Sequence, residues 1–83
     1  MDPELLGWVK ASAYRRDILR TLAAEDLLTP SEIAERTDRH LSHVSGTLTD
    51  MEDRGIVECV TPERQKGRIY SVTEAGAEIS AKV

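Results

Sequence analysis

The apolar positions of this chain keep a helical period as far as residue 54, alternate after residue 55, and return to a helical period near the end. Leu5, Leu6, Val9, Ala13, Leu19, Leu22 and Ala23, with Tyr14 and Ile18 beside them, form one stripe. This stripe predicts a long helix over residues 3–24, or two helices with a break near Gly7. Asp2-Pro3-Glu4 suits its start, with a capping side chain, proline at the first helical position and an acid in the first turn. Thr29-Pro30-Ser31-Glu32 is a capping box: the Thr29 hydroxyl takes the Glu32 amide and the Glu32 carboxylate reaches back. A short helix follows with Ile33 and Ala34 inward, ending near Thr37-Asp38, whose side chains favour a turn. Another helix is expected from about His40 to Arg54, with Leu41 at its start and Val44, Leu48 and Met51 on one face. Gly55 stops it as a left-handed cap.

Beyond Gly55 the period of two appears in residues 56–60 and again in residues 68–72, the second run rich in β-branched and aromatic side chains. The polar segment 61–67 between them makes a hairpin with a charged tip. Thr73-Glu74 then caps a last helix carrying Ala75, Ile79 and, at its far end, Val83, with Gly76 where that helix approaches the sheet closely. The expected fold is mainly α with a small β-hairpin, in the order helix, helix, helix, strand, strand, helix.

Composition narrows the class. Eighty-three residues suit one domain with one core, and 40% hydrophobic with 31% charged residues lies in the globular range. Cys59 is the only cysteine, so no internal disulfide forms. No basic leader with an apolar stretch opens the sequence and no apolar run would span a bilayer, so a cytoplasmic protein without membrane contact is expected. The net charge of -4 argues against nucleic-acid binding, but it is unevenly spread. Arg64, Lys66 and Arg68 outnumber Glu58 and Glu63 in the hairpin, whereas acids outnumber Arg39 and Arg54 over residues 38–54.

The run from Pro30 to Thr37, His40-Leu41-Ser42-His43-Val44-Ser45, and Leu48 through Met51-Glu52-Asp53-Arg54-Gly55-Ile56-Val57 resemble the MarR- and ArsR-like regulators of bacteria and archaea. The tail from Lys66 to Gly76 is similar to their wing and following helix. The resemblance covers about residues 12–80 and implies one winged helix-turn-helix domain, α-α-α-β-β-α, with residues 1–11 as an N-terminal helical extension. It implies a homodimeric prokaryotic DNA-binding regulator of transcription. Two departures stand out: Arg39 occupies a commonly apolar position, and Gly46 stands where arginine or lysine is frequent on the recognition helix.

In that fold the helix from His40 lies in the major groove. Its core positions turn Ser42, His43, Ser45, Gly46 and Thr49 outward, and Arg39, His40 and Leu41 join them at its start as candidate DNA contacts. The wing candidates are Arg64, Gln65, Lys66, Gly67 and Arg68, placed to follow the backbone or enter the minor groove. Arg15, Arg16, Thr29 and Ser31 are candidate phosphate contacts. Leu5, Leu6, Trp8 and Val9 form an apolar group before the region of resemblance and are expected at a dimer seam.

Two other readings compete with DNA binding. A winged helix can serve as a protein-interaction module, which the acidic balance favours. His40 and His43, three apart, could serve a metal-responsive regulator, but four ligands are not visible, so no metal or cofactor is expected. No nucleophile lies beside a base at motif spacing and no glycine-rich phosphate loop occurs, so neither an enzyme nor a small-molecule substrate is expected.

Overall fold

Side-chain caps set most of the helix boundaries in the computed structural model, which describes residues 2–83. Asp2 accepts from the Glu4 amide at 2.9 Å and opens α1, Pro3–Lys10. Ser12 accepts from the Arg15 amide and opens α2, Ala13–Glu25. The break in the N-terminal stripe therefore falls at Ala11-Ser12 and not near Gly7, which stays inside α1. Nothing lies within 4 Å of a Cβ at Gly7, so that glycine meets no packing demand to end the helix. Thr29 and Glu32 form both halves of the capping box and start α3, Pro30–Thr37.

Helix α4, Leu41–Asp53, buries Val44, Leu48 and Met51 as their spacing predicts. Gly55, at φ +77°, ends it: the Gly55 amide donates to Glu52 O and the Ile56 amide to Met51 O, satisfying carbonyls of the last turn. Strand β1, Val57–Cys59, pairs antiparallel with β2, Tyr70–Val72, in the register Val57 with Val72 and Cys59 with Tyr70. Both strands are shorter than the alternating runs, and β1 starts one residue late because the Ile56 amide closes the α4 cap. Leu28 adds a single antiparallel bridge to Tyr70, with N–H to O distances of 3.2 and 2.8 Å, and ties the α2–α3 loop to the base of the wing.

Thr73 accepts from the Gly76 amide and opens α5, Glu74–Ser80. Ile79 is buried there and Val83 packs against the core, whereas Ala75 is exposed. Ile18, Leu19, Leu22, Ile33, Val44, Leu48, Met51, Ile56, Val57 and Ile79 fill the centre with Val9, Leu28 and Tyr70 around them. The observed order is thus four helices, two strands and a helix, the N-terminal extension forming a helix of its own. Val9 is fully buried in this core, which corrects its assignment to a seam between protomers. Leu5, Leu6 and Trp8 are half-buried and pack against the core's edge.

Candidate nucleic-acid interface

Asp38 takes a left-handed conformation, φ 54° and ψ 42°, and turns the chain from α3 into α4. The Arg39 amide then donates to Ala34 O at 3.1 Å, closing the turn through the backbone. With its apolar side inward, α4 leaves Leu41, Ser42, His43, Ser45, Gly46 and Thr49 exposed. Thr49 Oγ1 donates to Ser45 O at 3.1 Å, which leaves the hydroxyl oxygen free to accept. A Cβ at Gly46 would have nothing within 4 Å, so backbone and open space lie at that point of the face.

The wing curves back over this face. A cleft of about 430 Å³ is lined by the cap residue Thr29 with Pro30 and Ser31 of α3, by Leu41, Ser45 and Thr49 of α4, and by Gln65 to Arg68 and Tyr70 of the hairpin. Three separate segments of sequence thus share one concave surface of hydroxyls and cations. Arg64, Gln65 and Lys66 are exposed on the hairpin loop, and Gly67 at φ +65° supplies its left-handed turn. The loop is braced from within, since Thr61 Oγ1 accepts the Ile69 amide at 3.0 Å and Thr61 O the Arg64 amide at 3.0 Å.

Arg68 lies lower than the other cations, half-buried at the base of the wing, with its Nε buried and without a protein partner. Tyr70 first, and then Cys59, hold its guanidinium above the ordinary arginine value, so it stays charged. Burial pushes the Tyr70 phenol up, with Arg68 opposing. Thr29 lines the cleft, but its hydroxyl already serves both groups of Glu32 in the capping box. Ser31 is exposed on the first turn of α3, where amides and helix dipole favour an anion.

Other candidate residues lie elsewhere. Arg39 precedes α4: its Nη2 stands 2.5 Å from Asp17 Oδ2 and its guanidinium 4.0 Å from the Tyr14 ring centre. Asp17 chiefly holds it above its ordinary pKa. Arg39, expected among the DNA contacts, thus has its charge paired with Asp17 and its guanidinium on the Tyr14 ring. His43 stacks on the same Tyr14 ring, centres 4.9 Å apart and planes at 23°. His40 is the exposed N-cap of α4 and makes no capping bond with its side chain. Among the described residues no three His, Cys, Asp or Glu side chains gather as a metal site, at His40 and His43 or elsewhere.

Arg15 and Arg16 do not reach the cleft lining. Arg15 Nη1 donates to Trp8 O at 2.8 Å and its guanidinium lies 4.0 Å from the Trp8 ring, against which Arg54 also packs at 4.1 Å. Arg16 Nη1 bonds to Lys10 O. Trp8, Arg15 and Arg54 line a second hollow with Asp50 and Asp53, whose carboxylates disfavour phosphate there. Sequence reasoning missed Tyr14, Asp17 and Tyr70. Tyr14 was visible as an aromatic beside the first stripe, but only the helix-turn-helix brings Arg39 and His43 onto it.

A helix-turn-helix backed by a two-stranded wing is the winged-helix architecture of MarR-type regulators. Residues 11–75 match the HVO_A0114 family, and the chain belongs to that family. Its structure is similar to NMB1585, a MarR family regulator from Neisseria meningitidis, with TM-score 0.79 and 26% identity over 95% of this chain and 56% of that one. It is also similar to the reduced form of MarR from E. coli, with TM-score 0.80 and 24% identity over 95% of this chain and 59% of that one. Transcriptional regulator Tm0710 from Thermotoga maritima gives TM-score 0.77 and 20% identity, with 95% and 56% covered. The chain spans little more than half the length of these regulators. These neighbours are transcription regulators and not enzymes. The sequence matches no curated protein. No helix among the described residues is long and apolar enough to cross a membrane.

Proposed function

We propose that this chain is a cytoplasmic regulator of transcription that binds duplex DNA, with α4 in the major groove and the wing along the backbone. The observation that carries this reading is the cleft joining the start of α3, the outward face of α4 and the wing cations. Ser31, Lys66 and Arg68 would neutralise or bond phosphates, while Ser45 and Thr49 offer short polar groups to base edges. As a homodimer built on α1, with Leu5, Leu6 and Trp8 at the edge of the seam, it would present two such helices to two half-sites. A protein-interaction role is the second reading, favoured by the absence of lysine and arginine from α4 and by the pairing of Arg39 with Asp17.

Fluorescence anisotropy on a labelled mixed-sequence duplex tests the proposal. Binding should weaken steeply between about 50 and 200 mM salt, each phosphate contact adding about 0.9 to the log–log slope. Lys66→Ala with Arg68→Ala should weaken binding to all sequences alike and flatten that slope. Binding that ignores salt, or none at low salt and micromolar protein, refutes the DNA reading and leaves the protein-interaction one.

A further inference from the structure

Four of the five helices among the described residues begin with a side-chain cap: Asp2, Ser12, Thr29 and Thr73 each accept from an amide of the first turn. Helix α4 does not. Its N-cap, His40, makes no such bond, although this end of the helix is the one a helix-turn-helix brings to the bases. An uncapped end leaves its first amides without a protein partner and free to fray.

A lateral restraint replaces the missing cap. Arg39 lies one residue before the N-cap and His43 in the first turn, and both rest on the Tyr14 ring, at 4.0 and 4.9 Å from its centre. Arg39 is tied further by Asp17 at 2.5 Å. Tyr14 and Asp17 are three apart on α2 and share one face of it. Buried Ile18, Leu19 and Leu22 hold that helix in the core, so the anchor does not move. Positions on both sides of the α4 N-cap are therefore fastened to one rigid surface, and the helix end itself stays open.

We infer that Tyr14 and Arg39 are positioning residues that set the direction of His43 and the first turn of α4, and through them the base sequence preferred. This rests on the DNA-binding reading of α4 and adds a second layer of residues that need not touch DNA. The pair explains why a cation sits at a turn position that the resemblance predicts to be apolar: it stacks on an aromatic ring and pairs with a carboxylate instead of filling the turn.

The test compares wild type, Tyr14→Phe and Tyr14→Leu on a duplex selected by the wild type from a random-sequence library, and on a scrambled duplex of the same composition. Tyr14→Leu should lose roughly tenfold in preference for the selected duplex, the scale of one good base contact, with affinity for the scrambled duplex and the salt slope unchanged. Tyr14→Phe keeps the ring and should keep the preference. Equal preference in all three proteins, or parallel loss on both duplexes, overturns the inference.

A readout without DNA separates this inference from the reading beneath it. In NMR spectra the His43 ring protons should be shifted upfield by the Tyr14 ring current in wild type and Tyr14→Phe. In Tyr14→Leu that shift should vanish and the Val44 amide, which donates to His40 O, should exchange faster. Unshifted His43 signals in wild type refute the clamp even if DNA is bound. A clamp seen by NMR in a protein that selects no sequence keeps the positioning and sinks the DNA reading.

Discussion

Replacing Gly76 with alanine should destabilise the fold although alanine is the better helix former. A Cβ at Gly76 would lie 2.0 Å from the Ile56 carbonyl oxygen, 3.0 Å from its carbon and 3.3 Å from Val72 Cβ, about 1 Å short of the 3.0 Å that real contacts keep. The obstructing atom is backbone, and it also accepts the Thr73 amide at 3.1 Å, so it cannot swing away as a side chain would. Helix α5 must therefore retreat from Ile56 and β2 and draw Ile79, 1% exposed, out of its packing. Overpacking of this kind costs about 1–3 kcal/mol, and loosening the Thr73 bond costs about another 1. The alanine propensity gain offsets about 1 kcal/mol at most. The net loss of about 2 kcal/mol corresponds to a melting temperature lower by roughly 10 °C for a domain of this size. Gly46→Ala is the internal control, because a Cβ there meets nothing within 4 Å in the middle of α4. That change should add about 0.5–1 kcal/mol. Thermal and urea melts followed by far-UV circular dichroism measure both. Equal signs for the two substitutions, or a Gly76→Ala protein as stable as wild type, would refute the argument from close approach.

Two further outcomes follow from the caps and from the N-terminal helix. Glu32 is held below its ordinary value of 4.5 first by the Thr29 backbone amide and then by its hydroxyl. The stabilisation from that carboxylate is complete above the unfolded value and is lost as pH falls through the lower folded one. Glu32→Gln should therefore lose less thermal stability than wild type on acidification from neutral pH to below 4.5, and equal losses would show that the capping carboxylate is not responsible. Sedimentation should show a dimer that Trp8→Ala weakens by at least about 2 kcal/mol, as an interfacial aromatic anchor would. A wild type of monomer mass, or a Trp8→Ala protein that melts without first dissociating, assigns Trp8 to the protomer's own packing against Arg15 and Arg54.

Features written within a few residues were legible in the sequence. The Thr29 to Glu32 capping box, the inward set Val44, Leu48 and Met51, the stop at Gly55 and the approach at Gly76 all appear as expected, because each depends on neighbours in the chain. The break before α2 was misplaced because Gly7 is the stronger helix breaker in isolation, whereas Ser12 supplies the actual cap. The pairing of Arg39 was not legible, because its partners, Asp17 and Tyr14, lie on another helix more than twenty residues away. Val9 shares its periodicity with Leu5 and Leu6, and periodicity alone does not separate a residue facing its own core from one facing a second copy. The charged tip of the wing was readable, but the descent of Arg68 beside Tyr70 and Cys59 depends on strand register.

The bridge between Leu28 and Tyr70 also governs how the molecule can come into being. It closes the helix-turn-helix with a clasp whose two halves lie on either side of about half the chain. During synthesis Leu28 leaves the ribosome well before Tyr70 does, so its amide and carbonyl wait in water while α3 and α4 emerge. Packing of Ile56, Val57 and Tyr70 against the earlier helices must wait as well. The outward face of α4 and the wing are thus completed together only once Tyr70 has emerged, and a nascent chain halted at the close of α4 has no finished cleft with which to engage a partner.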